Sequence, residues 1–87
     1  MTKDEIVQLR KDMGLSQGEF AQLFGAHFMT ISKWERGAAA PTAYQVALMA
    51  HFQKVVLDKK NQASEEVKKL LVGAGVVAAL AWLFSMK

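Results

Sequence analysis

The sequence predicts an all-α protein in which four helices form one compact domain and a further, apolar helix follows. A hydroxyl residue followed three positions later by Glu or Gln, the capping box that opens a helix, occurs at Thr2, Ser16 and Thr42. Glycines follow the first three amphipathic segments, where a helix is expected to end. We therefore predict a compact helical domain over residues 1–57, a linker over 58–63 and an apolar C-terminal helix over 64–87.

The first helix is predicted from Lys3 to about Met13, with Ile6 and Leu9 on its buried face. Arg10 lies on the same face. A buried charge without a partner is very unfavourable, so Arg10 either pairs with Glu35 or extends its long side chain into solvent. The sequence leaves both alternatives open.

Two short helices joined by a glycine turn follow, and this arrangement is typical of a helix-turn-helix. The second helix begins at Gln17 and ends before Gly25, and the third begins near Phe28. At 100 degrees per residue, one side of the third helix carries Thr30, Ile31, Trp34 and Glu35. The opposite side carries Met29, Ser32, Lys33 and Arg36. Such a helix suits insertion into the DNA major groove, whereas the alternative is an ordinary amphipathic surface helix.

The fourth helix is predicted from Ala43 to near Asp58, and its wide apolar face closes the core. The polar stretch from Asp58 to Ala63 lacks periodicity and is interpreted as a hinge or turn. Ser64 is then the predicted N-cap of the last helix.

The last helix has no polar side chain from Leu70 to Phe84, so it must be surrounded by something apolar. Two hypotheses follow: copies of the helix associate into a dimer or bundle, or the helix anchors a cytoplasmic domain to the inner membrane. The run is short for a bilayer of about 30 Å, so we favour self-association. The residues predicted to associate or anchor are Leu70, Leu71, Val77, Leu80, Trp82, Leu83 and Phe84.

The composition narrows the possible chemistry. The chain has no cysteine, which excludes thiolate metal sites and cysteine nucleophiles and fits a cytoplasmic protein. His27 and His51 have no ligand-spaced companion, and no catalytic constellation is present. We therefore predict neither an enzyme nor a metal or cofactor. The net charge of +3 is a weak signature of nucleic-acid binding.

The segment from residue 15 to residue 37 resembles the phage repressor and Cro-like, or XRE-type, family of helix-turn-helix DNA-binding proteins. The matching pattern is LSQxxxAxxxG followed by TISxWERG, and the resemblance extends over about residues 3–56. The residues that carry it are Leu15, Ser16, Gln17, Glu19, Ala21, Gly25, Thr30, Ile31, Ser32, Trp34, Glu35, Arg36 and Gly37.

The resemblance implies a role for several positions. Gln17 is expected to contact a phosphate or to anchor the second helix at the DNA backbone. Phe28, Met29 and Lys33 occupy positions that read bases, and Arg36 lies near the phosphates. The resemblance also implies a buried ion pair between two residues already considered together, Arg10 and Glu35. Three further residues complete the predicted DNA-contact set: His27, Thr30 and Ser32.

The predicted reading face departs from the family pattern. Phe28 and Met29 are apolar where the family often uses polar residues, and His27 stands where Ser or Thr usually caps the helix. Apolar side chains contact the thymine methyl, which favours A·T-containing sites; alternatively, Phe28 belongs to the core. His27 is expected to be a cap or a phosphate contact.

The predicted function is sequence-specific transcriptional regulation, as a repressor that binds double-stranded DNA as a dimer or higher oligomer. The alternative is a membrane-tethered helical adaptor that binds protein through the same fold. A protein partner such as a toxin also remains open.

Overall fold

A computed structural model describes residues 1–85, except for the side chains of residues 60 and 61. The described residues form helices and contain no strand, so the predicted all-α fold is confirmed. The five helices are α1 (Lys3–Asp12), α2 (Gln17–Gln22), α3 (Phe28–Glu35), α4 (Ala43–Gly73) and α5 (Val76–Ser85). The last two residues of the predicted C-terminal helix, Met86 and Lys87, lie outside the described residues.

All three predicted capping boxes are present at helix starts. At α2, the Ser16 hydroxyl accepts a hydrogen bond from the Glu19 backbone N–H at 3.1 Å. The Glu19 carboxylate in turn accepts from the Ser16 backbone N–H at 2.9 Å. Each box satisfies two backbone donors that a helix N-terminus leaves without partners, which is why these short segments begin where they do. The turn to α3 passes through Gly25, whose φ of +61° is accessible to glycine without steric cost.

The helices enclose a single hydrophobic core. α1 packs against α3 and α4, α2 packs against α3, and α4 packs against α5. Phe24 lies at the centre of an aromatic cluster, with ring centroids 4.9 Å from Phe20 and 5.8 Å from both Trp34 and Phe52. The aromatic cluster therefore joins α2 and α3 to the first half of α4.

The predicted linker is instead part of a helix. α4 continues through residues 58–63, with one non-helical residue, Lys59, at φ −137° and ψ 43°. After this kink, Ala63, Val67 and Leu71 are buried at four-residue spacing, so one stripe of the helix enters the core. Ser64, the predicted N-cap, lies inside α4, and its Cβ is 3.4 Å from the place where a Cβ on Gly14 would be. The kink at Lys59 lies within the stretch interpreted as a hinge or turn, but a linker over all of residues 58–63 is wrong, because the residues on either side of the kink are helical.

The single apolar helix predicted over residues 64–87 is also wrong. The chain leaves α4 at Ala74 and turns at Gly75, whose φ is +98°. α5 then packs against α4 and buries Ala79 and Leu83 in the same core. Both parts of the apolar run contribute to one core, which supplies part of the apolar surrounding that the sequence required, while Val72, Val77 and Phe84 stay exposed.

Two contacts of His51 fasten the end of α5. Its Nε2–H donates to the carbonyl oxygen of Leu83 at 2.9 Å, and its ring stacks on Phe84 with centroids 4.9 Å apart. In residues 1–85, no helix combines the length and the apolar character needed to cross a membrane. The alternative of a membrane-spanning helix is not supported, since the apolar run is divided at Gly75.

Candidate nucleic-acid interface

The inner face of α3 fixes the orientation of the helix. Ile31 and Trp34 are buried, and the Trp34 ring meets Phe24 edge to face. These two residues are three positions apart and so lie on one side of the helix. The residues on the opposite side of α3 are consequently turned towards solvent.

A partly buried ion pair holds the end of α3 to α1. The guanidinium of Arg10 donates to both carboxylate oxygens of Glu35, from Nε at 2.6 Å and from Nη2 at 3.0 Å. Arg10 also donates from Nη1 to the Leu15 carbonyl oxygen at 3.0 Å. The two side chains are 17% and 8% exposed, so the predicted pair is present and Arg10 does not simply extend into solvent.

Gln17 completes this network from α2. Its side-chain amide donates to Glu35 Oε1 at 3.1 Å, which joins α1, α2 and α3 at one carboxylate. Burial raises the pKa of Glu35, but the hydrogen bonds from Arg10 and Gln17 and the nearby positive charges lower this pKa by more than burial raises it. The net shift of the pKa is therefore downwards. The carboxylate is therefore charged at neutral pH and holds the three helices together.

The outer face of α3 combines apolar and cationic groups. Phe28 is 51% and Met29 is 54% exposed at the N-terminal end of the helix, and Lys33 and Arg36 are exposed towards its C-terminal end. Ser32 lies between them and is half-buried. Phe28 is therefore not a core residue, which settles the alternative that the sequence left open.

His27 caps α3. Its Nδ1 accepts the backbone N–H of Met29 at 3.3 Å, so Nδ1 is unprotonated in this arrangement and the proton of the neutral ring lies on Nε2. The ring also packs against Phe28, with centroids 4.7 Å apart. The cap leaves an Nε2–H donor beside the two exposed apolar side chains at the start of α3.

Comparison with known proteins agrees with this geometry. A helix-turn-helix family model matches residues 6–52, which include most of α1, all of α2 and α3, and the first part of α4. The chain belongs to the helix-turn-helix family. It is of the XRE type, whose members are DNA-binding regulators.

One curated relative is Antitoxin HigA-2 of Vibrio cholerae, which is 33% identical over 54 residues. The match covers 62% of this chain and 52% of the relative, so the chain spans about half of that protein's length. No solved structure matches.

In the helix-turn-helix, α2 and α3 are the two motif helices, and α3 has the position of the recognition helix. The predicted base-reading residues Phe28, Met29 and Lys33 all lie on its exposed side. Thr30 is half-buried, on the flank of the inner face. Arg36 follows the last turn, where its Nε–H donates to the Ser32 carbonyl oxygen at 3.3 Å.

The helix-turn-helix network includes one contact that sequence reasoning missed. Gln17 was expected at the DNA backbone, yet its amide is directed to Glu35 within the protein. A local motif does not reveal this contact, because Gln17 and Glu35 are 18 positions apart. The predicted role of Gln17 at the DNA backbone comes from the family resemblance, in which Gln17 is the third residue of the LSQ pattern.

The residues predicted to associate or anchor differ in how far they are buried. Leu71 and Leu83 are buried in the core of their own chain, and Leu70, Leu80 and Trp82 are half-buried against it. Only two of the predicted residues remain exposed, Val77 at 77% and Phe84 at 48%. Val72, at the end of α4, is also exposed.

Proposed function

We propose that this protein is a sequence-specific transcriptional repressor that inserts α3 into the major groove of DNA. The observation that carries the proposal is the division of α3 into a buried aromatic and aliphatic side and an exposed side with Lys33 and Arg36. An ordinary surface helix needs no ion pair to fix its rotation. Here, the bond network at Glu35 joins α3 to α1 and α2 and presents one defined face outwards.

Each exposed residue of α3 has a task in this proposal. Residues near the N-terminus of a recognition helix contact base edges, so Phe28 and Met29 face the bases. Lys33, one turn later, reaches a guanine edge or a phosphate. Arg36, at the end of the helix, binds a phosphate. His27 adds its Nε2–H as a phosphate donor.

The repressor acts as a homodimer in this proposal, because one such face has few cations for tight binding. Val72 at the end of α4 and two residues on α5, Val77 and Phe84, are exposed and apolar, which supports pairing through this end of the chain. The chain measures 30 × 23 × 20 Å, so two adjoining copies are the right size to present two α3 helices to half-sites about 34 to 36 Å apart. The proposed site of action is the cytoplasm.

DNA binding is tested with a duplex selected from a randomised pool by the wild-type protein. Lys33→Ala combined with Arg36→Ala should weaken binding by about 5- to 150-fold, the equivalent of 1 to 3 kcal/mol for a good contact. The matched control is Lys54→Ala with Lys69→Ala, which removes two exposed charges from α4. Equal affinities for the two double variants, both folded, would refute the proposed use of α3.

Dimerisation is tested by sedimentation of the full chain over a concentration series. Val77→Lys places a charge in the proposed interface and should shift the protein towards monomer. Leu57→Lys is the control, because Leu57 is exposed and lies outside α5. A wild-type chain that remains a monomer at all concentrations would refute the dimer.

The similarity to Antitoxin HigA-2 supports a second candidate function, an antitoxin that binds a toxin protein in addition to DNA. The test is co-expression of this chain with the toxin that HigA-2 counteracts, with growth as the readout. Restored growth supports the antitoxin function. Growth arrest that persists at full expression of this chain contradicts neutralisation of that toxin.

A further inference from the structure

We infer that Phe28 and Met29 make this protein a reader of 5-methyl groups on pyrimidines in the major groove. The inference rests on the proposed function, since it concerns the same face of α3. It goes further by assigning the recognised chemical group: the C5-methyl of a pyrimidine, carried either by thymine or by 5-methylcytosine.

The first argument is the exposure of two large apolar side chains at the N-terminal end of α3, where a recognition helix contacts base edges. Phe28 and Met29 are the first two residues of α3, and about half of each is exposed. Neither is needed to hold α3 in place, because Ile31, Trp34 and the Glu35 network do so. Exposed apolar groups on an otherwise polar and cationic face therefore indicate a contact made with a ligand.

The second argument is the shape of the apolar surface. The Phe28 ring packs against the His27 ring, whose centroid is 4.7 Å away, so one face of the aromatic group is supported by the protein. His27 is fixed in turn by the hydrogen bond that caps the helix. Met29, the next residue of α3, is exposed and has a flexible and polarisable thioether. A supported ring beside an adaptable side chain fits a small, protruding apolar group.

The third argument is the chemistry of the groove. In the major groove, the C5-methyl is the apolar group that distinguishes a pyrimidine edge, and apolar side chains are its usual partners. Neither Phe28 nor Met29 can donate to or accept from guanine or adenine in the way that Arg, Asn or Gln does. A pair of such residues can discriminate bases chiefly by whether a methyl is present.

The experiment uses the full-length protein and the duplex selected by the wild type. Each thymine of a half-site is replaced singly by deoxyuridine, which removes only the methyl group. At the contacted position, binding should weaken by about fourfold, the effect of exposing one methylene-sized apolar group. At that position, C·G and 5-methylcytosine·G are also compared, and the methyl should restore a similar factor.

Protein variants connect the methyl effect to the two residues. The double variant with Phe28→Ala and Met29→Ala should bind the thymine and deoxyuridine duplexes with equal affinity. The matched control, Tyr44→Ala, removes an exposed aromatic group outside α3 and should keep the fourfold difference. Circular dichroism verifies that each variant is folded, and the substitutions in the DNA need no protein variant at all.

The outcomes separate this inference from the proposed function. A methyl effect both between thymine and deoxyuridine and between 5-methylcytosine and cytosine supports recognition of any 5-methylpyrimidine. An effect only between thymine and deoxyuridine assigns thymine as the recognised base. Binding that is indifferent to every methyl, or selected duplexes without pyrimidine methyl groups at the contacted positions, would overturn the inference while the DNA-binding proposal stands. Failure to select any duplex would overturn both, and would leave Phe28 and Met29 as a surface for protein.

Discussion

The outer faces of α3 and α5 are both exposed, but their chemistry differs. The α3 face combines Phe28 and Met29 with Lys33 and Arg36, whereas the α5 face presents Val77 and Phe84 without a charge. The cationic groups match the phosphate backbone of DNA, and the uncharged face suits another protein surface. One small chain thus carries two exposed helices suited to different partners.

The inner faces of the two helices differ as well. α3 is fixed by Trp34 and by the bond network at Glu35, which involves α1 and α2. α5 is fixed by apolar burial and by the hydrogen bond from His51 to the Leu83 carbonyl. Directional bonds set the rotation of α3, which base recognition requires, while α5 depends mainly on apolar packing.

The largest expected effect concerns the packing of α5. Leu83→Ala should lower the free energy of unfolding by about 2 to 5 kcal/mol, because Leu83 is fully buried and a cavity would remain. Val77→Ala, on the exposed face of the same helix, should change it by less than about 0.5 kcal/mol in the monomer. Urea unfolding at low protein concentration measures both. Equal effects would mean that α5 does not pack on this core.

The second effect concerns the network that holds α3. Glu35→Gln should lower the free energy of unfolding at neutral pH by about 1 to 3 kcal/mol, because it weakens the two charge-assisted hydrogen bonds that Arg10 donates to this side chain. Glu65→Gln, an exposed carboxylate on α4, is the control and should have little effect.

The same network makes a prediction about pH. The pKa of Glu35 in the folded protein is lower than its ordinary value of 4.5, so its stabilisation is present above that value. Stabilisation is lost as the pH falls through the lowered pKa. The difference in stability between wild type and Glu35→Gln should therefore shrink at acidic pH, as measured by urea unfolding at a series of pH values. A difference that does not change with pH would contradict the charged network.

The smallest effect concerns the turn between α4 and α5. Gly75→Ala should destabilise the fold by about 1 kcal/mol or more, because an L side chain rarely adopts a φ of +98°. Gly73→Ala, two residues earlier in α4, should stabilise by about 0.4 to 1 kcal/mol, since a Cβ there meets open space. Thermal unfolding of the two variants compares them. Stabilisation by both would show that α4 and α5 form one continuous helix.

Local chemistry explains why residues 1–57 were largely predictable. Each capping box, at Thr2, Ser16 and Thr42, lies within four consecutive residues and marks the start of a helix. The helical pattern of α3 places Ile31 and Trp34 on its buried side. The charge on the apolar face of α1 made Glu35 a candidate partner of Arg10 beside the alternative of extension into solvent, and the family resemblance implied the pair that the structure shows.

The C-terminal part was less predictable for a physical reason. An apolar run without a polar side carries no periodic signal, so its direction is decided by contacts with distant residues such as His51. Gly73 and Gly75 were the available indication that the run divides. The exposure of Phe28 could not be predicted either, because it lies between the inner and outer faces of α3.

The assignment of α3 to DNA is tested most directly by following backbone amide signals of the full chain by NMR while the selected duplex is added. At a protein concentration at which the chain is already dimeric, we predict that signals of residues 27–36 change, together with those at the start of α2, and that signals of residues 76–85 do not. Changes confined to α5, with residues 27–36 unaffected, would contradict the assignment of α3 as the DNA-reading helix.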